Sequence, residues 1–378
     1  MKKSLLTAAL VAGFAATGAQ AETSVTLYGV LDGGVQYQKF KGTDAAGNSA
    51  SRDYVGAASG VNSGNRWGLK GSEDLGNGLK AVFTLESGFN IGTGQSEQGN
   101  RLFGRQATVG LQSDAWGLVE IGRQTNIASK YFAGVASPFG TDFGQANIGS
   151  AFSAAGSQRY DNMLMYQTPK FAGFQFGLGY SFNANGAQSA DLANGDNPNT
   201  RAWTTGLRYG NGPLEAALTY DSIKQPDTAR SPVRASAWAL ALSYDFEVVK
   251  VHAAGGQTRN GWFAANSSLN GADAINGVGP RLSSNSFNDD LKVNSYTLGL
   301  SAPIGANSKI MASWMMADPS SSGVNNWGDD KQNVYSLGYT YNLSKRTNLY
   351  ALASYANGVN FQDDLKATQV VAGVRHRF

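Results

Sequence analysis

Hydrophobic and polar positions alternate with a period of two along most of the chain. In 238–246, Trp, Leu, Tyr and Phe occupy the even positions, and Ala, Ser and Asp occupy the odd ones. The same pattern recurs at 25–32, 174–181, 203–209, 295–301 and 335–341. This period is typical of β-strands that have two different faces. After the first 21 residues there is no run of 18 apolar residues, so the sequence predicts no membrane-spanning helix.

The two faces of these strands indicate which kind of β-structure they form. One face carries large aliphatic and aromatic side chains, and the other carries mainly Gly, Ser and Thr. A soluble sandwich fits any single strand, but the connections favour a membrane barrel. Short turns are predicted at 76–78, 113–117 and 211–213, and long polar connections at 184–200, 259–291 and 319–331. Tyr and Trp near strand ends complete the pattern of a transmembrane β-barrel.

The predicted strands number sixteen, although fourteen or eighteen remain possible. They lie near 23–38, 64–75, 79–90, 101–112, 117–125, 159–168, 173–183, 201–210, 213–223, 234–246, 247–258, 293–303, 308–318, 331–342, 347–356 and 367–378. We therefore predict an all-β fold, a transmembrane antiparallel 16-stranded β-barrel. A barrel of this size is too wide for side chains to fill, so it encloses an aqueous channel.

Composition excludes several other classes of protein. Of 378 residues, 48 are Gly and only 15% are charged, and there is no Cys. The absence of Cys excludes disulfides, thiolate metal sites and a Cys nucleophile. Two histidines, His252 and His376, leave little for an imidazole metal site, and we expect no cofactor. A formal net charge of +3 gives no reason to expect a nucleic-acid partner.

The first residues have the features of a secretory signal peptide. Lys2 and Lys3 precede an apolar stretch at 5–16, and Ala19-Gln20-Ala21 matches a cleavage site. The alternative, an uncleaved anchor, is disfavoured because the apolar stretch is shorter than the ~20 residues that a spanning helix needs. We predict that 1–21 is a cleaved signal peptide and that 22–378 forms the barrel.

The connection at 126–158 is the most unusual loop in the sequence. It is rich in Gly, Ala, Ser and Phe and has Pro138-Phe139-Gly140 near its middle. A long connection of this kind is either functional or disordered. The phenylalanines at 132, 139, 143 and 152, with Phe171 on the flank, favour a packed loop that folds into the channel over a surface loop.

Charged residues on the inward-facing positions are candidates for a constriction. Arg66 opposes Trp67 and should point inward, as should Arg208, Arg375 and Arg377. Strict alternation places Arg105 and Arg123 on the outer face unless a bulge or a strand end changes their direction. The acidic candidates are Asp142, Glu86 and Glu120, so positive charge should dominate.

Several segments resemble the general porins of Gram-negative bacteria, in particular the trimeric sixteen-stranded porins of beta-proteobacteria such as Neisseria, Burkholderia and Comamonas. The segments that carry this resemblance are 24–32, 65–81, 85–89, 104–111, 121–124, 159–162 and 374–378, the last ending in Phe378. A terminal Phe resembles the signal by which outer-membrane barrels are recognised for insertion.

The resemblance implies a homotrimer in the outer membrane, with a third extracellular loop, 126–158, folded inward as the constriction. By the family's pattern, Arg66, Arg105 and Arg159 form a basic wall. The acidic side lies on the loop, where Asp142 is the single carboxylate. The full set of predicted constriction residues is Arg66, Arg105, Arg159, Asp142, Arg123 and Glu120.

The expected function is passive diffusion of small hydrophilic solutes and ions through the outer membrane, with a preference for anions. Its partners are then membrane lipid, the permeating solutes and two further copies of the chain. An alternative is a substrate-specific channel with a saturable solute site. A hydrolase is disfavoured because neither His lies in a recognisable Ser or Asp constellation, and a closed structural barrel is disfavoured by the small polar inner face.

Overall fold

The structure is a computed structural model that describes residues 24–44, 46–263, 266–269, 275, 285–320 and 329–378. The predicted signal peptide at 1–21 lies outside the described residues, as do parts of the predicted connections at 259–291 and 319–331. In the described part of the chain, no helix is both long enough and apolar enough to cross a membrane.

The described residues form one antiparallel sheet of seventeen strands. The strands are β1 Ser24–Thr43, β2 Ser49–Ser59, β3 Arg66–Gly76, β4 Leu79–Gly88, β5 Gln106–Ser113, β6 Gly117–Thr125, β7 Arg159–Gln167, β8 Phe174–Ser181, β9 Arg201–Asn211, β10 Leu214–Lys224, β11 Arg234–Asp245, β12 Lys250–Trp262, β13 Ser286–Ile304, β14 Ser308–Pro319, β15 Gln332–Asn342, β16 Thr347–Asn357 and β17 Lys366–Arg377. The last strand pairs with the first, from Val30 with Arg377 to Lys41 with Lys366, and this pairing closes the barrel.

The seventeen strands occupy sixteen positions around the barrel. β2 pairs with the C-terminal half of β1, and β3 pairs with its N-terminal end. The two therefore share one position, separated by the segment 60–65. The predicted sixteen-stranded barrel is confirmed, but the second strand was predicted to start near 64, and β2 was not predicted.

The two faces of the wall differ as the alternation predicts. On β11, Leu240 is 45% exposed and the neighbouring Ala241 is fully buried. Similar outward-facing side chains recur around the wall, and they include Trp203, Leu218, Tyr296, Leu298, Leu337 and Val370. A continuous apolar outer face is unfavourable in water but matches the hydrocarbon core of a membrane, where a closed barrel also satisfies every backbone hydrogen bond.

The connection between β6 and β7 is folded and buried. It contains two short helices, α1 at Ile127–Tyr131 and α2 at Ala133–Ala136, and three single-turn 3-10 helices at 144–146, 148–150 and 153–155. The Asn126 side chain caps α1 by accepting a hydrogen bond from the backbone N–H of Ser129. Four phenylalanines of this segment are less than 10% exposed, namely Phe132, Phe139, Phe143 and Phe152.

Phe171, which was predicted to pack with these rings, is 82% exposed and does not belong to the packed segment. It lies in the tight turn between β7 and β8, where its backbone pairs with Phe174. A residue in the turn between two paired strands has no second layer to pack against. Its closeness in sequence to segment 126–158 does not reveal that it lies in such a turn.

Segment 126–158 is hydrogen-bonded to strands that are far apart in sequence. The backbone N–H of Ile127 donates to Thr204 Oγ1 on β9, and the Ser295 hydroxyl on β13 donates to the carbonyl of Ala151. The N–H of Gln145 donates to Gln369 Oε1 on β17. Thr204, Ser295 and Gln369 are all buried, and each neighbours an exposed apolar residue on its strand, so the contacts are on the face opposite the apolar one.

Candidate functional site

Four of the predicted residues line a single cavity. Arg66, Arg105, Arg159 and Asp142 surround a space of about 500 Å³ that is open to solvent. They come from four separate elements: the start of β3, the residue before β5, the start of β7 and segment 126–158. The closed barrel therefore brings together residues that are up to about a hundred positions apart in sequence.

Arg66 is held by the segment that precedes it. Its Nε donates to the carbonyl of Gly64 at 2.9 Å, and its Nη2 donates to Ser63 Oγ at 3.1 Å. The neighbouring Trp67 is exposed on the outer face. The guanidinium is therefore on the inner side, in agreement with the alternation of this strand.

Arg105 lines the cavity. It precedes the first residue of β5, Gln106, so the strand alternation that would place it on the outer face does not extend to it. Its Nε donates to Glu86 Oε1 at 2.6 Å, and Glu86 also accepts a hydrogen bond from the Tyr28 hydroxyl at 2.9 Å. Glu86 thus compensates the charge of Arg105.

Arg159 bonds only to carbonyl oxygens among the described residues. Its Nε donates to the carbonyl of Arg105 at 3.1 Å, and its Nη1 donates to that of Ser157 at 3.3 Å. Arg66 likewise bonds to a carbonyl and a hydroxyl rather than to a carboxylate. The cavity therefore has a surplus of positive charge.

Asp142 provides the carboxylate of segment 126–158 at the cavity. Asp142 is half-buried, and this partial enclosure raises the pKa of its carboxyl, because burial disfavours the charged form. Arg66, Arg375, Arg105 and Arg377 oppose this shift through their positive charges. The balance leaves the pKa above its usual range, so protonation removes the negative charge at a higher pH than for an exposed Asp.

The remaining two predicted residues lie elsewhere. Arg123 Nη1 is 2.7 Å from Asp161 Oδ1, and Arg101 binds the same oxygen at 2.7 Å. A bulge between Gly122 and Gln124 sets the direction of Arg123, and Gly122 adopts a φ of 134° there. Neither Arg123 nor Glu120 lines the cavity.

Glu120 lies on the inner face of β6, where it is 7% exposed. Its Oε1 accepts a hydrogen bond from the hydroxyl of Thr108 on β5 at 3.1 Å. Its charge also acts on the half-buried Lys130 of α1, whose pKa is lowered by burial in spite of this carboxylate. Glu120 therefore faces the base of segment 126–158 and not the cavity.

Other cavity residues were not selected from the sequence. Arg377 was predicted to face inward without being assigned to the site, and it lines the cavity. Hydroxyl and amide side chains also line it: Ser63, Thr141, Asn147, Ser157, Asn266, Ser267 and Ser268. Ser63 belongs to segment 60–65, whose Gly, Ser and Asn residues have no alternation that could have indicated its position.

A closed antiparallel barrel with an apolar outer face and a polar, charged interior defines a β-barrel channel of the bacterial outer membrane. The protein belongs to the Gram-negative porin family, whose sequence model matches residues 7–360. It is thus an outer-membrane porin of a Gram-negative bacterium, and its strands cross the membrane many times.

Individual relatives agree with this assignment along the whole chain. An outer membrane porin protein of Bordetella pertussis is 53% identical over 396 residues, covering 100% of both chains. Outer membrane porin protein 32 of Delftia acidovorans is 32% identical, again over 100% of both chains. Among solved structures, the anion-selective porin from Comamonas acidovorans is 28% identical, with a TM-score of 0.70, and the match covers 94% of this chain and 100% of that one.

Proposed function

We propose that this porin is an anion-preferring general diffusion channel whose narrowest zone is the cavity between the barrel wall and segment 126–158. The observation that carries the proposal is the charge around that cavity. Among the described residues, Arg66, Arg105, Arg159 and Arg377 line it together with one carboxylate, Asp142. Rings of basic residues in a narrow pore favour the passage of anions.

The packing of segment 126–158 supports its role as an inward-folded constriction loop. Its hydrogen bonds reach β9, β13 and β17, and the amide of Gln332 on β15 also donates to the carbonyl of Ser150. A loop lying over the outside of the barrel could not contact the inner face of strands so far apart. In this position the loop narrows the channel without closing it.

A Coulomb estimate supports the size of the expected preference. A single charge at ~6 Å from an ion in a water-like medium contributes ~0.7 kcal/mol, which is about a threefold change in local ion concentration. Arg66 and Arg159 are not neutralised by a carboxylate among their described hydrogen-bond partners. Their charges therefore add to the attraction of anions and the exclusion of cations.

The proposed assembly is a homotrimer of separate pores, embedded in outer-membrane lipid and passing small hydrophilic solutes and ions. The support is the resemblance to trimeric porins and the name of the Comamonas relative, which describes an anion-selective porin. The proposal needs no cofactor or energy source, and it assigns no catalysis to the chain. Migration on a gel in detergent before and after heating tests the trimer.

The experiment that tests the proposed function is the reversal potential of Arg66→Gln in a planar bilayer under a salt gradient. We expect the anion-to-cation permeability ratio to fall about tenfold, because the loss of one unit charge lowers the anion concentration and raises the cation concentration, each about threefold. The matched control is Arg259→Gln, because Arg259 is an exposed residue on β12 that does not line the cavity. A ratio for Arg66→Gln equal to that of the native porin would contradict the proposal.

A saturable solute site is a second candidate, favoured by the lining of the cavity. Hydroxyl and amide groups such as Ser63, Asn147 and Asn266 lie beside the arginines and could bind a solute that carries both an anionic group and hydroxyls. Block of ion current by one solute at low concentration supports this candidate. Ion current that is unaffected by any one solute supports general diffusion.

A further inference from the structure

Segment 60–65 leaves the barrel wall between β2 and β3 and forms part of the cavity. Gly60, Val61, Ser63 and Gly64 all line the cavity beside Arg66. The segment is short of regular hydrogen bonds because it belongs to neither strand. Its position therefore depends on a few specific contacts.

A single residue, Asp32 on β1, makes three of these contacts. The N–H of Ser63 donates to Asp32 Oδ2 at 2.6 Å, and the N–H of Asp32 donates to Asn65 Oδ1 at 2.6 Å. The N–H of Gly60 donates to the carbonyl of Asp32 at 3.0 Å. Asp32 thus holds the segment at its first, fourth and sixth residues.

Asp32 is itself fixed and fully buried. Its relative exposure is 0%, and its second carboxylate oxygen accepts a hydrogen bond from the Tyr350 hydroxyl on β16 at 2.6 Å. Both oxygens therefore have a buried donor. Because each oxygen accepts a hydrogen bond, the carboxylate fixes the positions of both donors. Moving either donor away would leave a buried polar group without a partner, which would destabilise the fold.

The segment in turn positions the charged groups of the cavity. Ser63 Oγ and the carbonyl of Gly64 bind Arg66, and Asn62 Oδ1 accepts a hydrogen bond from Arg375 Nη1 at 3.3 Å. A Cβ atom at Gly64 would lie 3.0 Å from Arg105 Nη1, so the glycine leaves room for that guanidinium.

The segment also holds the opposite side of the cavity. The carbonyl of Val61 accepts a hydrogen bond from the N–H of Gly144 in segment 126–158 at 3.1 Å. The distance between the arginines and the loop therefore depends on the position of segment 60–65.

We propose that Asp32 is the positioning residue of the pore: it fixes segment 60–65 and, through that segment, sets the direction of Arg66 and the spacing between the arginines and the loop. This inference rests on the proposed function, since it gives a role to Asp32 only if these arginines determine selectivity. Asp32 does not line the cavity and acts through the residues that do.

The test compares Asp32→Ala with Asp32→Asn. Both variants remove the charge, but only Asn can keep both side-chain bonds, by accepting from the Ser63 N–H and donating to the Tyr350 hydroxyl. We expect Asp32→Ala to show increased open-channel current noise and about a twofold fall in the anion-to-cation permeability ratio, as Arg66 moves away from the pore axis. Asp32→Asn should retain the low noise of the native porin and a ratio at least as high.

Two further variants provide a substitute for Asp32→Ala and a control. If Asp32→Ala does not fold, as judged by the heat-dependent shift in gel mobility, Asn65→Ala removes the acceptor of the Asp32 N–H and should give the same noise. Ser336→Ala removes a buried wall hydrogen bond to Ser354, remote from the segment, and should leave noise and selectivity unchanged.

The outcomes separate this inference from the function on which it rests. Arg66→Gln is measured in parallel. If it shifts the permeability ratio while Asp32→Ala, or Asn65→Ala where that replaces it, behaves like the native porin, the positioning role is wrong and the proposed function stands. If Arg66→Gln causes no shift, the proposed function itself is wrong. Equal noise in Asp32→Ala and Asp32→Asn also overturns the positioning role.

Discussion

At the scale of single residues, the balance between several arginines and one carboxylate determines the predicted selectivity. Asp142 is the only acidic residue in 126–158, and it faces Arg66, Arg105, Arg375 and Arg377. In the proposed channel, its negative charge attracts cations into a zone that the arginines make unfavourable for them. Removing this charge should therefore strengthen the preference for anions.

We expect Asp142→Asn to raise the anion-to-cation permeability ratio about tenfold, because removing one charge at ~6 Å in a water-like medium changes the anion and cation concentrations about threefold each, in opposite directions. The ratio is measured from reversal potentials in planar bilayers. Asp114→Asn, in the turn between β5 and β6 and away from the cavity, is the matched control. A lower ratio in Asp142→Asn than in the native porin would contradict the assignment.

The raised pKa of Asp142 also predicts a dependence on pH. As the pH falls, Asp142 protonates earlier than an ordinary Asp, the cavity loses its negative charge and the anion preference rises. The native porin should show this rise above the pH at which exposed carboxylates titrate, and Asp142→Asn should lack it. An identical pH profile in both proteins would show that another group is responsible.

Residue positions were predictable where strands are regular and not where they are irregular. Alternation correctly placed Arg66 opposite Trp67. It does not apply to Arg105, which lies before its strand, and it does not extend to Arg123, which follows a bulge at Gly122. A bulge changes the face of every later residue by one position, and nothing in the alternation of 117–125 marks where it occurs.

At the scale of elements, the strands were predictable because their period-two pattern extends over eight or more residues. β2 was missed because Ser49–Ser59 is composed mostly of small or polar residues, with no alternation of large apolar and small residues. The contacts of segment 126–158 could not be predicted either. Its bond from Gln145 to Gln369 joins residues 224 positions apart, and only the closed barrel brings them together.

The absence of Cys allows a direct test of where segment 126–158 lies. In Thr141→Cys, the thiol should react faster with a negatively charged methanethiosulfonate than with a positively charged one, because the nearby arginines attract the anion. The reaction should also reduce the single-channel current. Both effects are measured in a planar bilayer.

The matched variant is Thr93→Cys, because Thr93 is exposed in the connection between β4 and β5 and does not line the cavity. Its thiol should react with little preference for either charge and without a change in current. If Thr141→Cys behaved in the same way as Thr93→Cys, segment 126–158 would not form the constriction.

At the scale of the whole molecule, the outer face of the barrel should accommodate apolar side chains, and a charged side chain there should destabilise the fold. Leu240, in the middle of β11 and 45% exposed, should face the centre of the bilayer. Leu240→Arg should destabilise the folded porin in lipid vesicles by about 2–4 kcal/mol. The free energy of unfolding in denaturant gives the measurement.

The control for this change is Leu343→Arg, in the short turn between β15 and β16. Because it lies near the membrane surface, it should cost at most about 1 kcal/mol. Equal destabilisation at the two positions would mean that Leu240 does not lie near the centre of the bilayer.

The fold class followed from the sequence because a membrane imposes a simple rule on every strand: apolar outside, small or polar inside. The residues that line the cavity could be predicted only in part, since many of them lie in irregular segments. Asp32 is the clearest example, because its position in a regular strand gives no indication that it binds the backbone of segment 60–65.

The most direct test of the central claim is the single-channel current of the unheated porin in a planar bilayer under a salt gradient. The proposal predicts open channels that insert in groups of three conductance steps, with a reversal potential that shows a preference for anions. A reversal potential that favours cations, or membranes that remain silent, would contradict it.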